Sequence, residues 1–244
     1  RTISYAGKEH EVDVYLTVLP NTNVPVYLVD NAEFISNGGI YYSPETMPSP
    51  ELEIERFAFF SKAIADIFAN PSDTNQEIFV PDLIHCNDWH TGMVPQIIQS
   101  HSRFIGKPRV KTIFTIHNLA YQGFSRIDVA EKLGIDIRTD QTLNWDAQDD
   151  NLDFVLQGIV GADFVSTVSK RYSEEIQTSE YGEGLEEILK SRKSRLAGVL
   201  NGISYDIFSP QNDAHLLAKY SIMDWKTGKA ENKALLQKEL GIEI

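Results

Sequence analysis

Four short apolar runs, each passing into polar residues at its carboxyl end, constrain this chain more than any other feature. They are "DLIHC" (82–86), "RVKTIFTIHN" (109–118), "DFVSTV" (163–168) and "LAGVLNGI" (196–203). Helical patterns alternate with them: "HTGMVPQIIQSHS" follows the first, "LDFVLQGIVGA" precedes the third, and "SKRYSEEI" and "GEGLEEILKSRKSR" precede the fourth. Continuous apolar strands suit a sheet covered on both faces. Their alternation with helices predicts a parallel α/β sheet with right-handed crossovers. Ligands of such sheets bind outside the carboxyl ends of the strands.

The first part of the chain is less regular. "EVDVYLTV" (11–18) and "VPVYLVD" (24–30) are β-rich runs separated by the turn signal "LPNTN". Residues 31–50, with Gly38-Gly39 and several prolines, read as a long irregular loop of the kind that carries function. A helix is expected over 49–70, capped by Ser49 and burying Phe57, Phe60, Ile64 and Phe68. Residues 124–150 carry weaker signals, and "GKAENKALLQKEL" predicts a last amphipathic helix ending at Gly241. No repeat, low-complexity segment or linker interrupts residues 1–210, which read as one domain; 211–244 read as a helical connector.

At 244 residues, with 42% hydrophobic and 23% charged side chains, the chain can bury a sizeable core. Its 22 basic and 35 acidic side chains give a net charge of −13, which argues against a nucleic-acid partner. A neutral partner such as a carbohydrate is compatible with that charge. No apolar run approaches a membrane span, and the opening "RTISYAGKEH" is not a secretory signal. The lone cysteine, Cys86, rules out an internal disulfide and fits a reducing compartment. The chain lacks an initiator methionine and opens on a strand-like run, so it reads as a piece of something longer.

The densest cluster is "HCNDWHTGMVP" (85–95). A metal site is one reading, but His85 and His90 are five apart and no second ligand cluster accompanies them. A Cys86–histidine nucleophile pair is a second, although a buried thiol is usually inert. Polar recognition is the third: His90 can donate to and accept from hydroxyls, Asp88 can cap the following helix, and Trp89 can stack on a sugar or fill the core. This reading favours Asp88 and Trp89 as scaffold, with His90 alone facing ligand. His117 and Asn118 either line the same cleft or close a turn on themselves. Tyr121-Gln122-Gly123 is a tight loop offering a phenol. Asn201-Gly202 is first a turn signature. Tyr41 and Tyr42 either reach over the pocket or sit on its rim.

The chain resembles the starch/glycogen synthase family of glucosyltransferases. "YLVDNAEF", "RFAFFSKA", "HCNDWHTGMVP", "TIFTIHNLAYQG", "GADFVSTVS", "YGEGLEEIL", "GVLNGISYDIFSP" and "KAENKALLQKELG" occur in the family's order and spacing across nearly the whole chain. The resemblance implies a GT-B enzyme of two Rossmann-like domains, of which this chain is the N-terminal half. It implies transfer of glucose from ADP-glucose (UDP-glucose in some members) to the non-reducing end of an α-1,4-glucan, with retention and without metal or other cofactor. His90 is implied to hydrogen-bond the transferred glucose, Tyr121 to belong to an aromatic loop, and Tyr41 to lie on the acceptor side. His117, Asn118, Gln122 and Asn201 complete the expected substrate contacts, and His90 and Tyr121 are expected to converge on one hollow. The implied location is the bacterial cytoplasm, or the plastid for a plant protein; the oligomeric state is left open.

The chain departs from the family's pattern in several places. The family's Lys-Thr-Gly-Gly-Leu-Gly-Asp loop is absent, so the sheet is expected to be incomplete at its N-terminus. The second domain, whose Lys, Arg and Glu residues grip the diphosphate, is absent too. Ser36-Asn37 stand where an Asp-Arg pair is usual, Lys170 where Pro often follows "TVS", and "LEIERF" replaces "DNxxRF". A leaving diphosphate needs preorganised cations, which a chain at −13 does not obviously supply. These residues alone are therefore expected to turn over poorly or not at all. A glucan-binding module without catalysis, or a GT-B transferase of another donor, are the alternatives.

Overall fold

The computed structural model describes residues 1–47, 49–69, 79, 81–100, 110–138 and 141–243. The ends of several expected elements (Asn70, His101, Ser102 and Arg109), Pro48 of the long loop, and Thr139 and Asp140 lie outside the described residues. The chain forms two compact units, residues 1–199 and 200–244.

In the first unit, β5 (Leu83–Asn87), β6 (Lys111–Ile116), β9 (Phe164–Thr167) and β10 (Leu196–Gly198) form one sheet in the order β10-β9-β6-β5, all parallel. The expected α/β class is therefore present. Asn87 pairs with Thr115, while Thr167 pairs with both Ile116 and Gly198. All four strands thus end at one edge, so the polar turns that follow β5, β6 and β9 leave from the same side of the sheet.

Helices α1 (Glu51–Phe68), α2 (Met93–Ser100) and α5 (Phe154–Gly161) supply much of the core. Phe114 and Val165 on the sheet and Phe59, Met93, Ile97, Phe154 and Ile159 on the helices are fully buried. Burying such a side chain contributes about 1.5–3 kcal/mol. Gly158 lets α5 lie directly on β6, because a Cβ there would come within 2.6 Å of the Phe114 ring. Short helices α3 (Asp128–Lys132), α4 (Gln141–Asp146), α6 (Lys170–Glu175) and α7 (Glu186–Ser191) complete the unit's α-helices among the described residues.

The expected β-rich runs form an antiparallel hairpin, β3 (Asp13–Val18) with β4 (Pro25–Asp30), outside the parallel sheet. Two further antiparallel pairs were not expected as pairs, although the chain opens on a strand-like run. They are β1 (Thr2–Tyr5) with β2 (Lys8–Glu11), and β7 (Phe124–Arg126) with β8 (Asn151–Asp153). Their strands are too short and too polar for a period-two pattern to register.

Helix α1 corrects one expectation and extends another. Pro50, not Ser49, occupies its N-cap, and no side chain caps it. Phe57, Ile64 and Phe68 pack half-buried against the core as their spacing predicts, with Phe60 also half-buried, and Ala58, Phe59, Ser61, Ala63 and Ala65 are fully enclosed. Small side chains at 58, 61, 63 and 65 let neighbours approach closely, so the helix is covered on more than one side. Lys62 and Asp66 form an ion pair within it, their side chains only 2% and 6% exposed.

In the second unit regular structure among the described residues is the helix α8 (Trp225–Leu240), which ends on Gly241 in the left-handed conformation (φ 65°). Asn232 ties the preceding segment to it, donating to the carbonyl of Ala218 (2.6 Å) and accepting from its amide (3.2 Å). No helix among the described residues is long and apolar enough to cross a membrane.

Asp153 caps α5, its Oδ1 accepting from the Leu156 amide at 3.0 Å. Burial pushes its carboxyl up to about 7, with the nearby Asp146 adding to the rise and hydrogen bonds from the Leu156 and Val155 amides opposing it. Between roughly pH 4, where an unfolded aspartate titrates, and pH 7, the folded chain holds a proton that the unfolded chain has lost. The stability from this group is thus present below that window and lost as pH rises through it. Asp153→Asn keeps an oxygen for the cap without the charge. Its urea-unfolding free energy should vary less with pH across the window than the wild type's, by at most ~1.4 kcal/mol per pH unit. Parallel curves for the two proteins would contradict this account.

Candidate functional site

The turn after β5 is sharp and internally tied. The Asn87 amide donates to the Thr91 hydroxyl (2.7 Å), which donates back to the Asn87 carbonyl (2.9 Å). Asp88 adopts φ 55°, ψ −179°, and its amide donates to the carbonyl of Thr115 on the neighbouring strand. The Asp88 carboxylate does not cap the 3-10 helical turn Trp89–Thr91, which corrects the sequence reading; it accepts instead from the His117 amide at 2.8 Å. Asp88 therefore joins the turn after β5 to the turn after β6.

Trp89 is core, 7% exposed. It meets Phe57 edge-on at 5.0 Å and Phe154 at 6.4 Å, and stacks on the His90 ring at 4.3 Å. Gly123, at φ +70°, lies against it so closely that a Cβ there would be 2.4 Å from the indole. The loop 117–123 is thereby seated against the Trp89 side chain. Sugar stacking on Trp89 is ruled out by this burial.

His90 is half-buried in an aromatic frame, with Phe57 edge-on at 4.5 Å and Tyr41 edge-on at 5.8 Å. Burial pushes its imidazole below the ordinary histidine value, against the opposing pull of the Asp88 charge. The ring is thus neutral at physiological pH and carries one donor and one acceptor. Among the described residues, neither of its nitrogens has a hydrogen-bond partner. Such a ring, oriented by aromatic walls and left with both nitrogens available, suits a polyhydroxylated ligand.

The other expected residues separate into distinct groups. Tyr41 (63% exposed) belongs to the 31–47 loop and faces the His90 ring. His117 is exposed, with Nε2 3.0 Å from the Asn87 side-chain oxygen. Asn118 is exposed and accepts from the Ala120 amide at 3.1 Å, closing its own turn. Tyr121 is 68% exposed and makes no ring contact with His90 among the described residues. Gln122 is buried, and its amide donates to the Glu183 carbonyl at 3.0 Å, holding one loop to another. Asn201 is exposed and belongs to the second unit.

Cys86 is 2% exposed, on the strand face opposite His85. Burial pushes its thiol up to about 12, with a hydrogen bond involving Thr91 opposing, so the thiolate required of a nucleophile does not form at neutral pH. The His85 Nε2 lies 2.5 Å from the Thr115 hydroxyl, itself 2.5 Å from the Ser166 hydroxyl. Among the described residues no group of three or more His, Cys, Asp or Glu is placed to hold a metal ion.

Two residues outside the expected site belong to its frame, Arg56 and Phe57. The helical spacing places Phe57 in the core, and it also forms a wall of the His90 frame. Arg56 is 6% exposed and donates to carbonyls of the loop that carries Tyr41. Its signals in the sequence are its place in the motif "RFAFFSKA" and an arginine set against the apolar run "FAFF".

Gly123→Ala combines left-handed backbone strain with a clash against Trp89. It is expected to destabilise the fold by about 2–4 kcal/mol. Denaturant unfolding of the variant beside the wild type checks this.

The motif series agrees with comparison to known proteins. The family described as the starch synthase catalytic domain matches residues 2–191. A glycogen synthase of Exiguobacterium sibiricum is 36% identical over 228 residues, covering 93% of this chain and 45% of that protein. One from Thermosipho melanesiensis is 35% identical over 246 residues, covering 99% and 47%. The catalytic domain of starch synthase IV from Arabidopsis thaliana, solved bound to ADP and acarbose, superposes with a TM-score of 0.77 at 27% identity. That match covers 99% of this chain and 47% of the plant chain. The chain spans less than half the length of these relatives, and it belongs to the starch synthase catalytic domain family.

Proposed function

We propose that this chain is the acceptor-side part of a glycogen or starch synthase that moves glucose from ADP-glucose to the non-reducing end of an α-1,4-glucan with retention of configuration. The observation that carries the reading is His90, a neutral imidazole with both nitrogens available inside a frame of Phe57, Trp89 and Tyr41. The exposed Tyr41 ring suits the apolar patch of a sugar, and the imidazole suits its hydroxyls. In the transfer, the bond from the glucosyl C1 to the diphosphate oxygen breaks and a bond from C1 to the glucan O4 forms on the same face. The proton of the 4-hydroxyl passes to the departing diphosphate. His90 orients the glucose, and Tyr41 lies on the acceptor side.

Stabilising the diphosphate calls for cations, and this chain carries net charge −13. We assign that task to residues outside these 244, and the donor nucleotide with them. The single cysteine and a nucleotide-sugar donor fit a reducing, cytoplasmic setting.

Two outcomes follow. Incubated with ADP-glucose and glycogen, the isolated chain should incorporate little or no labelled glucose; robust incorporation would overturn the division of labour. Titrated with maltoheptaose, an acceptor glucan, the chain should bind, and Tyr41→Ala should weaken binding about tenfold, the loss of one aromatic contact. Equal affinity in the two proteins would remove Tyr41 from the acceptor side.

A further inference from the structure

The loop that carries Tyr41 is anchored at its two ends, where Phe34 stacks on Phe59 at 4.3 Å and Met47 is 3% exposed, but its middle is not packed. Ile40 and Tyr41 are 72% and 63% exposed. A cavity of about 370 Å³, lined by Phe34, Asn37, Thr46, Met47, Leu52 and Arg56 among others, lies against it. Its first turn is closed by Asn31, which accepts from the amides of Glu33 and Phe34. Thr46 reaches the Tyr41 carbonyl only at 3.4 Å. Between these points, the carbonyls of Phe34, Asn37, Gly39 and Ile40 all converge on one side chain, the guanidinium of Arg56. Nε donates to Phe34 at 3.2 Å and Nη1 to Ile40 at 2.8 Å, with Gly39 and Asn37 also accepting.

Arg56 is rigidly placed. It sits in the second turn of an 18-residue helix and is 6% exposed. Four of its five N–H groups donate to backbone oxygens, and no ion pair engages it among the described residues. The next residue, Phe57, contacts the rings of both Trp89 and His90. One dipeptide of α1 therefore holds the loop through its first member and walls the histidine through its second. The last carbonyl gathered, that of Ile40, immediately precedes the tyrosine whose ring faces His90 at 5.8 Å.

We propose that Arg56 is a positioning residue of the sugar site, gathering the 34–40 loop through its guanidinium so that the Tyr41 ring is held against His90. Its consequence for glucan binding rests on the reading given above; its consequence for Tyr41 and His90 does not. A planar fork of donors can serve several carbonyls spread along a loop, whereas a lysine ammonium is a compact point charge. Lysine is therefore expected to be a poor substitute even though it keeps the charge.

The test reads His90 directly. The groups facing its ring are Tyr41, Phe57 and Trp89, with Asp88 the charge acting on it. Removing the Tyr41 ring lets water reach the imidazole, so its titration moves up toward the ordinary histidine value. Histidine proton resonances are followed against pH in the wild type, Tyr41→Ala, Arg56→Gln, Arg56→Lys and the Tyr41→Ala/Arg56→Gln double variant. His90→Ala assigns the signal, and circular dichroism monitors the fold. The expected result is an upward shift in Tyr41→Ala and in both folded Arg56 variants, with no further shift in the double variant. A folded Arg56 variant whose His90 titrates as in the wild type would overturn the proposal. So would an unmoved His90 in Tyr41→Ala. Loss of the fold in both Arg56 variants would assign the residue to stability alone and equally overturn it. In parallel, maltoheptaose affinity should fall about tenfold in Arg56→Gln and Tyr41→Ala, without adding in the double variant. If the wild-type chain binds no maltoheptaose, the glucan reading fails, and the histidine titration still decides the role of Arg56.

Discussion

The parallel hydrogen-bond ladder of β5, β6 and β9 is the constraint on which the site depends. Because Asn87 lies opposite Thr115, and Ile116 opposite Thr167, three strands far apart in the chain end at a common level. A parallel ladder fixes direction as well as register, so every carboxyl end and every turn leaving it falls on one side. The Asp88 carboxylate then bridges two of those turns by accepting from the His117 amide. Without the ladder these polar residues would be unrelated features of a linear chain.

Above the ladder, Trp89 acts as the shared wall. Phe57 from α1, Phe154 from α5 and Gly123 from the turn after β6 all meet it. Its burial leaves the next residue at the boundary between core and solvent, where an imidazole is desolvated enough to stay neutral yet retains access to hydroxyls. Gly123 serves this arrangement twice, by adopting a positive φ and by having no side chain where the indole lies. The site is thus made by ordinary core packing carried up to the surface.

Much of the architecture was legible because it is written in local periodicity. All four strands of the parallel sheet, the helices α2, α5, α6 and α7, and the helix ending at Gly241 lie within the stretches where the sequence places them, whereas α3 and α4 fall where its signals are weak. The antiparallel pairings at 2–11 and of 124–126 with 151–153 escaped, their strands being short and polar. So did the true capping residues: Ser49 sits one residue too early for α1, while Asp153 and Ser169 cap α5 and α6. Asp88 was legible as a residue that fixes its loop, and illegible in how it does so, since its partner is 29 residues away. Arg56 was the hardest to see. An arginine beside phenylalanines looks like a misplaced charge until the loop carbonyls are in view.

The sequence by itself determined the strand–helix alternation, the presence of polar groups at strand ends, and membership of a glucosyltransferase family through an ordered series of motifs. These are properties of residue order, and neighbouring residues suffice to express them. Only the tertiary structure decided which members of each cluster are left open. His90 keeps both ring nitrogens available, whereas Gln122 is consumed by the Glu183 carbonyl and Asn118 by its own turn. That sorting depends on where side chains point after a strained turn and on what approaches from distant segments. Such contacts exist only once the core has closed, because closure brings Phe57 and the Tyr41 loop to the histidine.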